Sequence, residues 1–200
     1  MAYNRGKTGR KYDVIYMLFA LVLGMFLAWV TGDIGGRGLL GNVLVHYGIW
    51  LFAGSLLAFY AGDTLKSGIA AFAFCGGAVC AYTLYVYLAG GDGDLRLFGY
   101  RMILAVIGAL ICIASHNAHQ KEWVGGICAA VVPSLMIAEG YPAFYSRSYA
   151  LIFEMIIACV LYLILARGRD KRLMGLPFVI VFSFALIYFD AFNRIFGGWI

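Results

Sequence analysis

The stretch that decides the fold is Trp123–Tyr145, WVGGICAAVVPSLMIAEGYPAFY. Its only charged side chain is Glu139, and Pro133 lies near its middle. At about 1.5 Å per residue, a helix of this length crosses the roughly 30 Å hydrocarbon core of a membrane. A carboxylate inside such a helix is costly unless it is buried against a partner or serves a function. The stretch therefore predicts a membrane-spanning helix that carries a structural or functional acid near one end.

The whole chain shares this apolar character. Its 200 residues are 64% hydrophobic and 12% charged, whereas a soluble domain has about a quarter of its residues charged. No stretch is polar enough to form a separate aqueous domain, so residues 1–200 are predicted to form a single transmembrane domain. The net charge of +5 does not indicate a nucleic-acid partner, because the basic residues lie at the ends of apolar segments, as membrane topology requires.

Apolar runs of about 20 residues predict an all-α polytopic membrane protein with seven transmembrane helices, one N-terminal helix followed by three helical hairpins. The predicted helices are 14–31, 39–61, 68–89, 98–115, 123–141, 149–166 and 174–191. Ten of the fifteen Lys and Arg residues lie on one side, in the N-terminal tail, at Lys66 and Lys121, and in the loop 167–172. Because cytoplasmic loops carry the excess of basic residues, we expect the N-terminus in the cytoplasm and the C-terminus outside. The lipid bilayer around the chain is expected to be a bacterial cytoplasmic (inner) membrane.

Ionisable residues inside the predicted helices are concentrated at one depth. Counted from the helix ends, five of them fall in the outer third of the membrane, namely His46, Arg101, Glu139, Glu154 and Asp190. Charges inside a membrane usually face an interior cavity and mark a substrate or ion path. Three acids would make this cavity negative, and an aromatic ring such as Trp50 at comparable depth would suit an organic cation. These five residues and Trp50 are therefore the predicted binding site for a small solute or cation.

Two other interpretations of these residues remain open. Glu154 would pair with Arg101 or Arg147 in a network that only holds helices together. Alternatively, Glu139 and Asp190 would lie among lipid headgroups, and the aromatic residues would form an interfacial belt. Pro133 removes one backbone hydrogen bond from its helix, and a bend there would affect the half of the helix that carries Glu139.

Metal and catalytic motifs are missing from the sequence. His116 and His119 are spaced i,i+3 and would hold a metal with Glu122, but zinc needs a third or fourth ligand, so a solvated turn is the favoured interpretation. The five cysteines show no ligand spacing, and neither a GxSxG nor an HExxH motif is present. We therefore expect no metal, no cofactor and no catalytic residue, and enzyme activity is not favoured.

Ala20, Gly24 and Ala28 form a stripe of small residues on the first helix, which lets another helix approach closely. The favoured partner is a helix of the same chain, and the alternative is another membrane protein. Transport of a solute or ion, by the chain alone or as one subunit of a larger complex, is the leading function. The alternatives are an intramembrane enzyme that acts on a lipid-linked substrate, with Glu139 and His46 as general acid and base, and a scaffold or immunity-type protein.

Overall fold

The computed structural model describes residues 8–35, 37–90, 95–120, 122–146 and 148–190. Within these ranges the chain forms helices and turns and no strand. The helices are α1 Thr8–Ile34, α2 Gly38–Val45, α3 Tyr47–Tyr60, α4 Thr64–Leu88, α5 Leu95–Asn117, α6 Glu122–Gly140, α7 Ala143–Ser146, α8 Tyr149–Leu165 and α9 Arg169–Tyr188.

Five helical segments are long and apolar enough to cross a membrane: Tyr12–Ile34, Thr64–Leu88, Arg96–Asn117, Trp123–Ser146 and Arg169–Tyr188. Two shorter apolar helices, Tyr47–Tyr60 and Tyr149–Leu165, cover the remaining predicted segments. The prediction of an all-helical chain with several membrane-length helices is therefore confirmed for the described residues.

The predicted helix 39–61 is wrong in one respect, because the structure divides it at His46. This residue has φ −80° and ψ 146°, an extended conformation that ends α2 and begins α3. The break frees carbonyl groups at the end of α2, and the indole Nε1 of Trp50 donates a hydrogen bond of 3.0 Å to one of them, on Leu44. Trp50 therefore stabilises the break itself.

Helix α3 packs against helices of two groups. It contacts α4 and α5 in the first group and α6 and α8 in the second. The first group is completed by α1, which packs mainly against α4, and the second by α9, which packs mainly against α6. Residues at the break between α2 and α3 are thereby brought close to side chains from the second group.

The small-residue stripe of α1 is used inside the chain. Ala20 and Ala28 are 0% and 1% exposed, and a methyl group added at Gly24 would lie 2.9 Å from the carbonyl carbon of Phe74 in α4. In lipid, such close backbone contact is what holds helices together, since no hydrophobic force does so. The stripe is therefore covered by α4, and the exposed surface of α1 is its opposite face.

Polar contacts join the ends of α1 and α4. Asp63, just before α4, accepts a hydrogen bond of 2.8 Å from the Lys66 backbone N–H and so caps the helix. The Lys66 ammonium group lies 2.8 Å from a carboxylate oxygen of Asp13 in α1. These contacts connect the two helices near the end of α3.

Candidate functional site

Two glutamates meet beside the first turn of α3. Glu139 lies at the end of α6 and Glu154 lies near the start of α8. Both approach Gly48, where an added Cβ would lie 3.1 Å from the Cδ and Oε1 atoms of Glu154 and 3.4 Å from Oε2 of Glu139. The absence of a side chain at Gly48 provides the space that the two carboxylates occupy.

The break between α2 and α3 contributes a backbone donor and an imidazole to the same place. The Tyr47 backbone N–H donates a hydrogen bond of 2.7 Å to Oε1 of Glu139, and Nδ1 of His46 lies 3.7 Å from that oxygen. The first N–H groups of a helix have no partner within the helix and carry its positive dipole end. Glu139 therefore caps α3 from another helix. It accepts a hydrogen bond from a backbone N–H at the helix break, which lipid could not satisfy.

Most oxygen atoms of the two carboxylates have no partner in the described part of the chain. Glu154 is 0% exposed, and both of its oxygens are buried without a hydrogen bond to any described residue. The same holds for Oε2 of Glu139, a residue that is 9% exposed. Buried polar atoms are nearly always satisfied, and a buried charge without a partner is far more costly than a neutral group. These oxygens are thus available for a proton, a water molecule or a cation.

His46, Glu139 and Glu154 together offer one nitrogen and two oxygen atoms that lie within 4.8 Å of one another. This spacing leaves room for a small species, such as a water molecule or a single ion, between the three side chains. The His46 side chain is 31% exposed, whereas that of Glu139 is 7% exposed. The cluster is therefore buried at its carboxylates and more open at its imidazole.

Arg101 and Asp190, which were also predicted site residues, do not belong to the group of three donor side chains. The guanidinium carbon of Arg101 lies 4.9 Å from the centre of the Tyr82 ring, and Arg101 forms no ion pair within 4 Å among the described side chains. Asp190 is exposed, follows the end of α9 and has a left-handed backbone conformation with φ 49°. Arg147, the other predicted partner of Glu154, lies outside the described residues.

The polar loop at the end of α5 does not form a metal cluster with described side chains. Nε2 of His119 lies 2.8 Å from the carbonyl oxygen of Phe59, and its ring stacks on the Phe59 ring at 4.1 Å. His116 contacts His119 edge to face. The side chain of Glu122, the third predicted ligand, lies outside the described part of the chain. His119 therefore packs at the end of α3, and His116 packs against His119.

The sequence does not by itself predict two elements of the cluster, the Tyr47 N–H and the space at Gly48. The available signal was Gly48, which directly follows His46 and Tyr47 inside an apolar run. A glycine at such a position allows the backbone to approach another group closely. The half-buried imidazole and the buried carboxylates come from three separate segments, so no local spacing joins them.

No model of a known protein family, no curated protein and no solved structure matches the chain.

Proposed function

We propose that the chain is a multi-pass membrane transport protein, or one subunit of a transporter, that binds a cation at the cluster of His46, Glu139 and Glu154. The observation that carries this proposal is the burial of two neighbouring carboxylates with three unpartnered oxygens among the described residues. A cation bound there would replace the hydration that both carboxylates lose on burial.

The break at His46 supports a transport function. Many transporters bind substrates and coupling ions where a membrane helix is interrupted, because the interruption exposes backbone groups inside the protein. Here the interruption lies between α2 and α3, and Glu139 accepts a hydrogen bond from the Tyr47 N–H that the interruption frees. A carboxylate that caps a helix and also binds an ion would couple occupancy of the site to the position of that helix.

The proposed topology keeps seven crossings. Helix α3 has 14 residues and would extend only about 21 Å, so α2 and α3 together would make one crossing. Helix α8, with 17 residues, would extend about 26 Å and make another. With the N-terminus in the cytoplasm of a bacterial cell, as the basic loops favour, the cluster would lie in the outer half of the cytoplasmic membrane.

Thermal unfolding of the purified protein in detergent would test cation binding. The melting temperature would be followed in sodium, potassium, magnesium, calcium, manganese and zinc salts at constant ionic strength, and between pH 5 and 8. A bound cation stabilises the folded state by mass action, by about 2.7 kcal/mol at one hundred times its Kd. The variants would be Glu139→Gln and Glu154→Gln, with Asp33→Asn as a matched neutralisation of an exposed acid outside the cluster.

We expect at least one cation to raise the melting temperature of the wild type and of Asp33→Asn, but not of the two glutamine variants. Proteoliposomes loaded with an indicator for that cation would then show flux only with the wild type and the control. Stabilisation without flux would limit the function to ion binding. If no cation stabilises the protein and both glutamine variants melt at lower temperatures under all conditions, the carboxylates are structural and the proposal is wrong.

A further inference from the structure

The donor atoms of the cluster match one class of cation. A neutral imidazole nitrogen suits zinc and other transition metals, whereas sodium, magnesium and calcium are bound by oxygen atoms alone. Carboxylate oxygens complete the ligand sets of many zinc and manganese sites. The cluster supplies one nitrogen from His46 and one oxygen each from Glu139 and Glu154. Nitrogen and carboxylate donors together favour a divalent transition-metal ion.

The spacing of the three atoms agrees with this class. They lie no more than 4.8 Å apart, whereas the donor atoms of a tetrahedral zinc site lie about 3.4 Å apart. The side chains would therefore have to approach one another by about 1.4 Å at most to contact the ion together, a movement within reach of side-chain torsions.

When both carboxylates are ionised, the cluster carries more negative charge than one monovalent cation compensates. The two carboxylates then contribute −2, and the N-terminus of α3 contributes about +0.5 through its dipole. One proton or one sodium ion would leave a net negative charge inside the membrane, whereas a divalent ion, or two protons, would compensate both carboxylates. Partial compensation is costly at low dielectric constant.

The surroundings of Glu139 hold it in place for this role. Its Oε1 accepts the Tyr47 N–H, which leaves Oε2 unpartnered among the described residues and close to Glu154 at Gly48. Hydrogen bonds of this kind orient a metal-binding carboxylate and usually affect affinity strongly. Since the His46 side chain is the most exposed of the three, it is the ligand that an entering ion meets first.

We infer that the cluster is a binding site for a divalent transition-metal ion of the zinc or manganese class, with Nδ1 of His46, Oε2 of Glu139 and a carboxylate oxygen of Glu154 as ligands. This inference rests on the proposed cation-binding function and specifies its ion. Three protein ligands leave positions for water, so the ion would stay exchangeable, as transport requires.

The test is a titration of the purified, metal-stripped protein in detergent with Co²⁺, followed by visible absorption and by calorimetry, and then displacement of Co²⁺ by Zn²⁺. His46→Asn, Glu139→Gln and Glu154→Gln remove one ligand each, and the glutamine at 139 still offers an oxygen to the Tyr47 N–H. His116→Asn is the matched control, since it removes a histidine outside the cluster. Gel filtration and helical circular dichroism would show which variants are folded.

We expect one Co²⁺ per chain, displaced by Zn²⁺, with affinity reduced at least tenfold in each folded ligand variant and unchanged in His116→Asn. If Co²⁺ binds equally to the wild type and all three ligand variants, it binds elsewhere and the inference is wrong. If sodium or protons stabilise the wild type through Glu139 and Glu154 while Co²⁺ and Zn²⁺ do not bind, the divalent assignment fails and the proposed cation-binding function stands. If no cation binds, both fail.

Discussion

Replacing Gly48 with alanine should weaken cation binding without unfolding the protein. The added methyl carbon would lie 3.1 Å from Cδ and Oε1 of Glu154, where ordinary contact begins at 3.4 Å. The carboxylate of Glu154 would therefore have to move away by about 0.3 Å, whereas that of Glu139, at 3.4 Å, would not. The methyl carbon would then lie within about 3.4 Å of both carboxylates, beside the proposed position of the ion.

A methyl group at this position restricts how the Glu154 carboxylate can turn toward the ion, so we expect roughly a tenfold loss of Co²⁺ affinity. Stability should change little, because alanine is favoured over glycine in a helix by about 1 kcal/mol, which offsets the contact. The assay is calorimetric titration beside a thermal unfolding scan. Gly99→Ala is the control, because no described atom outside its own stretch of helix lies within 4 Å of the added carbon. An unchanged affinity in Gly48→Ala would refute the placement of the ion between the carboxylates at this glycine.

Three further changes test the fold. Gly24→Ala should reduce the free energy of unfolding by roughly 1–3 kcal/mol and so lower the melting temperature, because the α4 backbone blocks the methyl group. Gly99→Ala should not lower it. Trp50→Phe should cost about 1 kcal/mol of stability through the lost hydrogen bond to Leu44; an unchanged melting temperature would show that this bond does not stabilise the break. The backbone N–H and ammonium group of Lys66 hold the pKa of Asp63 below its usual range. The ionised Asp63 carboxylate therefore stabilises the fold above its usual pKa, and this stabilisation is lost as the pH falls through its lowered pKa. The difference in melting temperature between wild type and Asp63→Ala should thus disappear in acid. A difference that persists in acid would contradict this.

Membrane-length apolar runs were the part of the fold that sequence predicted well. The reason is physical, since a lipid-exposed helix must be apolar along its whole length. The break at His46 was not predicted, because the residues around it are apolar and contain no proline. It is stabilised by a tertiary hydrogen bond from Tyr47 to Glu139 and by a local one from Trp50 to Leu44.

The sequence predicts only that the residues of the candidate site lie at a similar depth in the membrane, on separate helices. Depth follows from counting residues, whereas convergence depends on how each helix is rotated about its axis. The structure brings together three of the predicted residues, His46, Glu139 and Glu154, and places Arg101 against Tyr82. The sequence suggested no metal ligand among them, since donors from three segments form no recognisable spacing.

The packing of α1 against α4 bears on the order in which the chain is assembled in the membrane. Helix α1 is synthesised before α4, yet its buried stripe contacts α4, with Gly24 and Phe74 separated by 50 positions. Until α4 has been synthesised and inserted, the stripe faces lipid or the insertion machinery. In a nascent chain that ends before α4, α1 would thus lack its partner helix. Its small-residue stripe would then be free to contact another membrane protein with a matching surface.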